Sequence, residues 1–184
     1  LKFKKKINIL FVTSSRADYG YLKELITKTR KDRNFSTKVI VTGSHLNKNF
    51  GLTYKEIIKE RIKIFKKIKI QKFSDSTHSI IECISKTIKT FGKFFLKTKT
   101  DILILVGDRY EIFGVAVAAY LAGIKIAHIG GGEVTGGSFD DSFRHSISKM
   151  SYLHFASHNL YKKRLIQLGE DPDRTFVTGN LSLQ

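Results

Sequence analysis

At 184 residues with 41% apolar side chains, the chain is long enough to bury one ordinary core, and no run approaches the roughly 18 consecutive apolar residues of a membrane-spanning helix. The one cysteine, Cys83, rules out an internal disulfide, fits a reducing cytosol and leaves no Cys/His spacing for a metal. The net charge of +17 is one-sided: residues 1–100 hold 25 Lys and Arg against 7 Asp and Glu, whereas residues 101–184 hold 8 against 9.

The N-terminus, "LKFKKKINILFVTSSRADYG", has the basic start of a signal peptide. Its apolar run is only about seven residues and lacks a small-residue cleavage site, so 7–13 reads as a first buried strand of a cytoplasmic protein. A helix is expected over 19–32, a strand over 37–43, a helix over 53–60 and a strand over 62–70. That last stretch, within "RIKIFKKIKIQKF", interleaves lysines with isoleucines, which reads as a solvated face. Its field leaves an acidic partner open. No arginine-rich groove helix, aromatic ribonucleoprotein motif or zinc finger accompanies it, so nucleic acid is not the expected partner. A helix over 77–97 and a strand over 101–107 follow. The helix over 110–122, "YEIFGVAVAAYLAG", is almost wholly apolar and should pack on a sheet, closed by Gly123. Strands over 124–130, 152–157 and 174–179 alternate with helices over 142–149 and 158–168, and the lone proline, Pro172, follows the last helix. Apolar strands alternating with helices imply a parallel sheet covered on both faces. The expectation is one doubly wound α/β domain of about seven strands over residues 1–184.

In such a sheet, chemistry sits beyond the carboxyl ends of the strands. Those ends carry Arg16, Asp18, His45, Asp108, Arg109, Glu111, His128, Glu133, Asp140, Asp141, Arg144 and His145, which places them around one rim. Arg16 follows the first strand and precedes a helix, where a guanidinium beside helix N-terminal amides suits a diphosphate; a surface pair with Asp18 is the equal alternative. "TSSRADYG" lacks the first two glycines of a dinucleotide fingerprint, and Walker lysine spacing is absent, so NAD and ATP sites are not expected. Asp108 follows Gly107 and either handles a proton or caps the next helix. Gly130–Gly132 permit close approach of a ligand, and Gly136 and Gly137 leave the following loop mobile or tightly turned. In "FDDSFRH" one acid would suffice as a helix cap, so the surplus points to a catalytic loop rather than a structural turn. Asp141 shares a helix face with Arg144 and His145, and grouped carboxylates separate acid from base roles. His45 reads more readily as structural than as a site residue. His154 and His158 fit a buried strand and a helix start, and His78 the surface.

The ordered set "SRADYG", "VTGSHL", "GDRYE", "HIGGGEVTGGSFDDSFRHSISKMSYLHFAS" and "LIQLGEDPDRTFVTGN" resembles the hydrolysing UDP-N-acetylglucosamine 2-epimerases that begin sialic-acid and related nonulosonic-acid synthesis. The resemblance implies two Rossmann-like domains arranged as in GT-B glycosyltransferases, with the UDP-sugar in the cleft between them. It implies loss of the sugar's C2 proton, elimination of UDP to a 2-acetamidoglucal, and hydration to N-acetylmannosamine. Such chemistry needs one base, one acid and phosphate contacts, and no metal or redox cofactor. By matched position, Asp108 and Asp141 would transfer protons or orient a base, with His145 and His45 in support. Arg16 would face the diphosphate, and Asp18, Arg109, His128 and Arg144 would line the substrate site. Non-hydrolysing relatives carry a glutamate where this chain has Gly130, which leaves Glu133 as the replacement. Family members run to roughly twice this length. The chain is therefore expected to be an N-terminal domain without its nucleotide-binding partner domain, inactive alone, and part of a homo-oligomer (dimer or tetramer). Close alternatives are action on a UDP-2,4-diacetamido-trideoxyhexose of the legionaminic acid pathway and a non-catalytic basic binding module. A GT-B glycosyltransferase fits the acid-rich rim less well.

Overall fold

The computed structural model describes residues 5–70, 76–136 and 139–179. In chain order they form β1 (Ile7–Thr13), α1 (Arg16–Lys31), β2 (Phe35–Val41), α2 (Tyr54–Lys59), β3 (Lys66–Lys67), α3 (Thr77–Phe95), β4 (Ile102–Val106) and α4 (Tyr110–Leu121). β5 (Lys125–Ile129), α5 (Phe139–Lys149), β6 (Leu153–Ala156), α6 (Asn159–Gln167) and β7 (Thr175–Val177) complete the set, with short 3-10 turns at Gly43–Leu46, Lys48–Phe50 and Pro172–Arg174. All strand pairs are parallel, in the order β3-β2-β1-β4-β5-β6-β7. This is the expected doubly wound, Rossmann-like α/β sheet.

Strand periodicity assigns the layers. Successive side chains point to opposite faces, so Leu10, Val12, Leu103 and Leu105 pack with Phe91 and Phe95 of α3 and Ile112 and Val115 of α4. Their neighbours Ile9, Phe11, Ile104 and Val106 pack on the other face with Leu22 and Ile26 of α1 and Ile57 of α2. Asp101 fixes the start of β4 against β1, its Oδ2 accepting from both the backbone N–H and the side-chain amide of Asn8 at 2.7 and 2.8 Å. The chain runs outward from β1 to β3 and returns to β4 on the other side. The crevice at this reversal lies between the carboxyl ends of β1 and β4, where ligands bind in such sheets.

Among the boundaries that differ from expectation, two have a clear physical reason. The expected strand over 62–70 shrinks to Lys66–Lys67. Ile62 packs with the α1 face while Ile68 and Ile70 pack with the α3 face. Residues an even number apart stay on one face of a continuous strand, so the chain crosses over the sheet edge here and pairs only at the crossing. Lysines at and beside this edge lie over aromatic rings, with the exposed Lys67 Nζ 3.4 Å from the Tyr54 ring centre and the half-buried Lys38 of β2 with Nζ 4.5 Å from that of Phe65. Such placement keeps the ammonium in water over an apolar surface. The second difference is α1, which begins at Arg16 rather than at residue 19 because Ser15 and Asp18 form a capping box, worth about 1 kcal/mol.

Candidate active site

After β1 the chain turns through Ser14 and Ser15 into α1. Asp18 Oδ2 accepts from Ser14 N, Ser14 Oγ and Ser15 N at 2.9, 2.7 and 3.1 Å, and Oδ1 accepts from Ser15 Oγ at 2.9 Å. This carboxylate therefore shapes the turn from within. Arg16 does not pair with it. Its guanidinium forks onto Glu56 of α2, with Nε donating to Oε2 at 3.0 Å and Nη2 to Oε1. Both side chains are exposed, and Glu56 holds its carboxyl below the usual range through this bond. Arg16 and Arg109 share an open hollow of about 490 Å³ beside the start of α1.

After β4, Gly107 turns with φ +74°. The backbone of Arg109, not Asp108, takes the N-cap position of α4. Arg109 instead donates through Nε and Nη2 to the wholly buried Glu111, each at 3.2 Å. Asp108 turns inward to Arg144 of α5, whose Nη2 donates to its Oδ2. Arg144 also donates through Nη1 to Gly130 O at 2.7 Å and Glu133 Oε2 at 3.4 Å, and through Nη2 to Thr135 Oγ1 at 3.1 Å. One buried guanidinium thus gathers the loops after β4 and β5. Burial pushes the Asp108 carboxyl above its ordinary value, against the opposing pull of Arg144.

The glycines of the β5 loop have a steric reason. Gly132 has φ +77°, and a Cβ there would lie 2.5 Å from Tyr161 O. α6 closes on this loop, with Arg164 Nη1 donating to Gly132 O at 2.7 Å. Asp141 Oδ1 accepts from Thr135 N at 2.9 Å, and its Oδ2 is 3.6 Å from His145 Nε2. The helical spacing therefore brings Asp141 to His145, while Arg144 faces Asp108. Gly136 lies in an exposed turn. Gly137, and Asn180 at the last strand end, fall outside the described residues.

Two rim histidines are buried beneath the site. Gly107 O can only accept, so His128 Nε2, 2.8 Å away, carries the proton, and Nδ1 faces Ser148 Oγ at 3.0 Å. Burial lowers its pKa to about 3. His45 lies between Thr13 and Thr53, with Nε2 at 3.0 Å and Nδ1 at 2.7 Å from their hydroxyls, and burial lowers its pKa to about 4. The unfolded chain then binds a proton on His45 that the folded chain refuses. The stability this residue contributes is complete above the unfolded value of 6.5 and is lost as pH falls towards 4. A loss of about 2 kcal/mol is expected by about pH 5. Urea midpoints at pH 7 and pH 5 should separate less in His45→Gln than in wild type, and equal separations would refute the assignment. His154 is buried in β6, His158 caps α6, His78 is exposed, and burial pushes the Cys83 thiol up to about 11.

A cleft of about 340 Å³ opens at the β1/β4 reversal. Of the expected residues, Asp18, Asp108, Arg109, Glu133 and Arg144 line it, and so does Asp140. Arg16 stands at the adjoining hollow, Asp141 and His145 stand behind Thr135, and His45 and His128 lie below. Ser157 and Tyr21 also line the cleft and were not singled out from the sequence. The signal for Ser157 was its place one residue beyond β6. Within the described residues no helix is long and apolar enough to cross a membrane, and no three His, Cys, Asp or Glu could together hold a metal ion.

Residues 27–184 match the family model for UDP-N-acetylglucosamine 2-epimerase. The chain belongs to this 2-epimerase family. It is 46% identical over 177 residues to the GDP/UDP-N,N'-diacetylbacillosamine 2-epimerase (hydrolyzing) of Campylobacter jejuni, covering 96% of this chain and 46% of that protein. It is 41% identical over 176 residues to the polysialic acid biosynthesis protein P7 of Escherichia coli, covering 96% and 45%. A UDP-GlcNAc 2-epimerase from Neisseria meningitidis, solved bound to UDP-GlcNAc, superimposes with a TM-score of 0.84 at 23% identity, covering 95% of this chain and 46% of that one. The chain thus spans about half the length of the 2-epimerases it matches.

Proposed function

We propose that this chain is the N-terminal half of a hydrolysing UDP-N-acetylglucosamine 2-epimerase, converting UDP-N-acetylglucosamine and water to N-acetylmannosamine and UDP in the cytoplasm. The observation that carries the reading is the cleft at the β1/β4 reversal, where Asp108 and Glu133 meet on the buried Arg144 and Asp140 stands beside them. Elimination across C1–C2 needs a base for the C2 proton, and addition of water to the glucal needs an acid that returns a proton to the other face. Asp108, made more basic by burial and ion-paired to Arg144, suits the base. Glu133 and Asp141 are the remaining proton carriers, Asp141 with His145 behind it. Arg16 and Arg109, flanking the first turn of α1, suit the diphosphate, because helix amides and guanidinium groups favour phosphate oxygens. His45 and His128, engaged by hydroxyls and a carbonyl, act by holding the strand ends in place. The reaction uses no metal or redox cofactor. The second domain, which would close the cleft over the nucleotide, and assembly as a homodimer or homotetramer belong to the same proposal by family likeness.

The names of the Campylobacter jejuni relative and of a 33% identical relative from Legionella pneumophila favour a second reading, a UDP-2,4-diacetamido-trideoxyhexose as substrate. Proton NMR in D2O on both UDP-sugars, with this chain and with a version joined to its second domain, separates the cases. The joined form is expected to release UDP and a C2-deuterated 2-acetamido sugar from one of them, and this chain to release neither. Release by this chain at an enzyme-like rate would overturn the half-site reading. No release from either sugar by the joined form would overturn the reaction.

A further inference from the structure

We propose that Ser157 is a positioning residue, holding the Glu133 carboxylate in the orientation from which it exchanges a proton with the sugar. The inference rests on the epimerase reading above. Ser157 directly follows the last residue of β6 and lines the cleft. Its Oγ donates to Glu133 Oε1 at 2.6 Å, bridging 24 residues of sequence.

Three features make this bond decisive for Glu133. First, Glu133 stands in a stretch, 133–135, with no helix or strand of its own to fix it, whereas Ser157 is anchored to a central parallel sheet. Second, among the described residues the other oxygen, Oε2, meets the Arg144 guanidinium at 3.4 Å, longer than the contacts of that guanidinium with Gly130 O and Thr135 Oγ1. The hydroxyl, much shorter, sets the direction of the carboxylate. Third, three other carboxylates near the cleft are held by different groups: Asp18 by the serine turn, Asp108 by Arg144 and Asp141 by Thr135 N. Glu133 is tied to the end of β6 by the Ser157 hydroxyl, with Arg144 on its other oxygen. A hydroxyl has a single proton to give. Donated to Oε1, it keeps that oxygen turned towards the end of β6 and leaves Oε2 on the side of Arg144, in the cleft that both residues line.

The test is steady-state cleavage of UDP-N-acetylglucosamine by the chain joined to its second domain. Ser157→Ala is expected to lower kcat about tenfold with KM within about twofold, because the lost bond orients a group used in the transition state. Ser157→Thr, which keeps the hydroxyl, should restore most of the rate, and the melting temperature of all three proteins should agree within a few degrees. A structural tie alone would lower the melting temperature and leave kcat of the folded protein unchanged, and that result overturns the proposal. A change confined to KM, or no recovery in Ser157→Thr, overturns it as well. Wild-type protein that cleaves neither UDP-sugar overturns the epimerase reading and this inference with it, whereas active wild type beside an unaffected Ser157→Ala overturns this inference alone.

Discussion

Replacing Arg144 with alanine is expected to destabilise the chain by about 3–5 kcal/mol, because a buried ion pair that loses one partner strands the other charge out of water. The Arg144 side chain is 9% exposed and that of Asp108 17%, so little solvent reaches the carboxylate left behind. The variant also frees Gly130 O and Thr135 Oγ1 and lets Asp108 and Glu133 repel each other across the space left by the guanidinium. For a chain of this size each kcal/mol lowers the melting temperature by about 2–4 °C. A fall of about 6–20 °C should therefore appear, with an earlier urea midpoint at unchanged slope. Asp108→Asn placed in the Arg144→Ala background should recover part of the loss, since it removes the stranded charge. The two sites are coupled and their effects should not add. A single variant within about 1 kcal/mol of wild type would show that water, not Arg144, compensates Asp108.

That guanidinium also marks the limit of what the amino-acid sequence alone reveals. The sheet was legible because period-two alternation in "INILFVT" and "DILILVG" dictates two faces, and both faces are filled as expected. β3 was not legible, since Ile62, Ile68 and Ile70 alternate correctly while belonging to opposite sides of the sheet. The rim followed from topology alone, yet topology does not say which way a side chain points. His45 and Asp18 both sit at strand ends, and one is buried between two threonines while the other lines the cleft. Helical spacing offered Asp141 two partners and geometry chose His145. The contacts Arg16–Glu56, Asp108–Arg144 and Glu133–Ser157 span 40, 36 and 24 residues, and no local pattern announces them. Each depends on how far a loop descends after its strand. That distance is set by tertiary packing such as the approach of Tyr161 to Gly132.

Asp108→Asn is expected to lower the rate of UDP-sugar cleavage by the joined protein about 10²–10⁴-fold, the range typical of a lost general base or acid. The amide keeps an oxygen for Arg144 Nη2, so the fold and the affinity for UDP should stay near those of wild type. In wild type the carboxyl titrates above its ordinary value because burial outweighs the attraction of Arg144. Below that point it is protonated and cannot accept the C2 proton, so the rate should fall as pH drops, on a limb lying above the usual carboxylate range. Raising the pH through the limb restores the base. Asp108→Asn should lose this limb, because nothing at the position then titrates, and exchange of the C2 proton with D2O should slow together with UDP release. If exchange persists at the wild-type rate while UDP release fails, the C2 proton is taken by another carboxylate of the cleft, and Asp108 serves the departing diphosphate side of the reaction through Arg144. A limb that survives in the variant leads to the same reassignment.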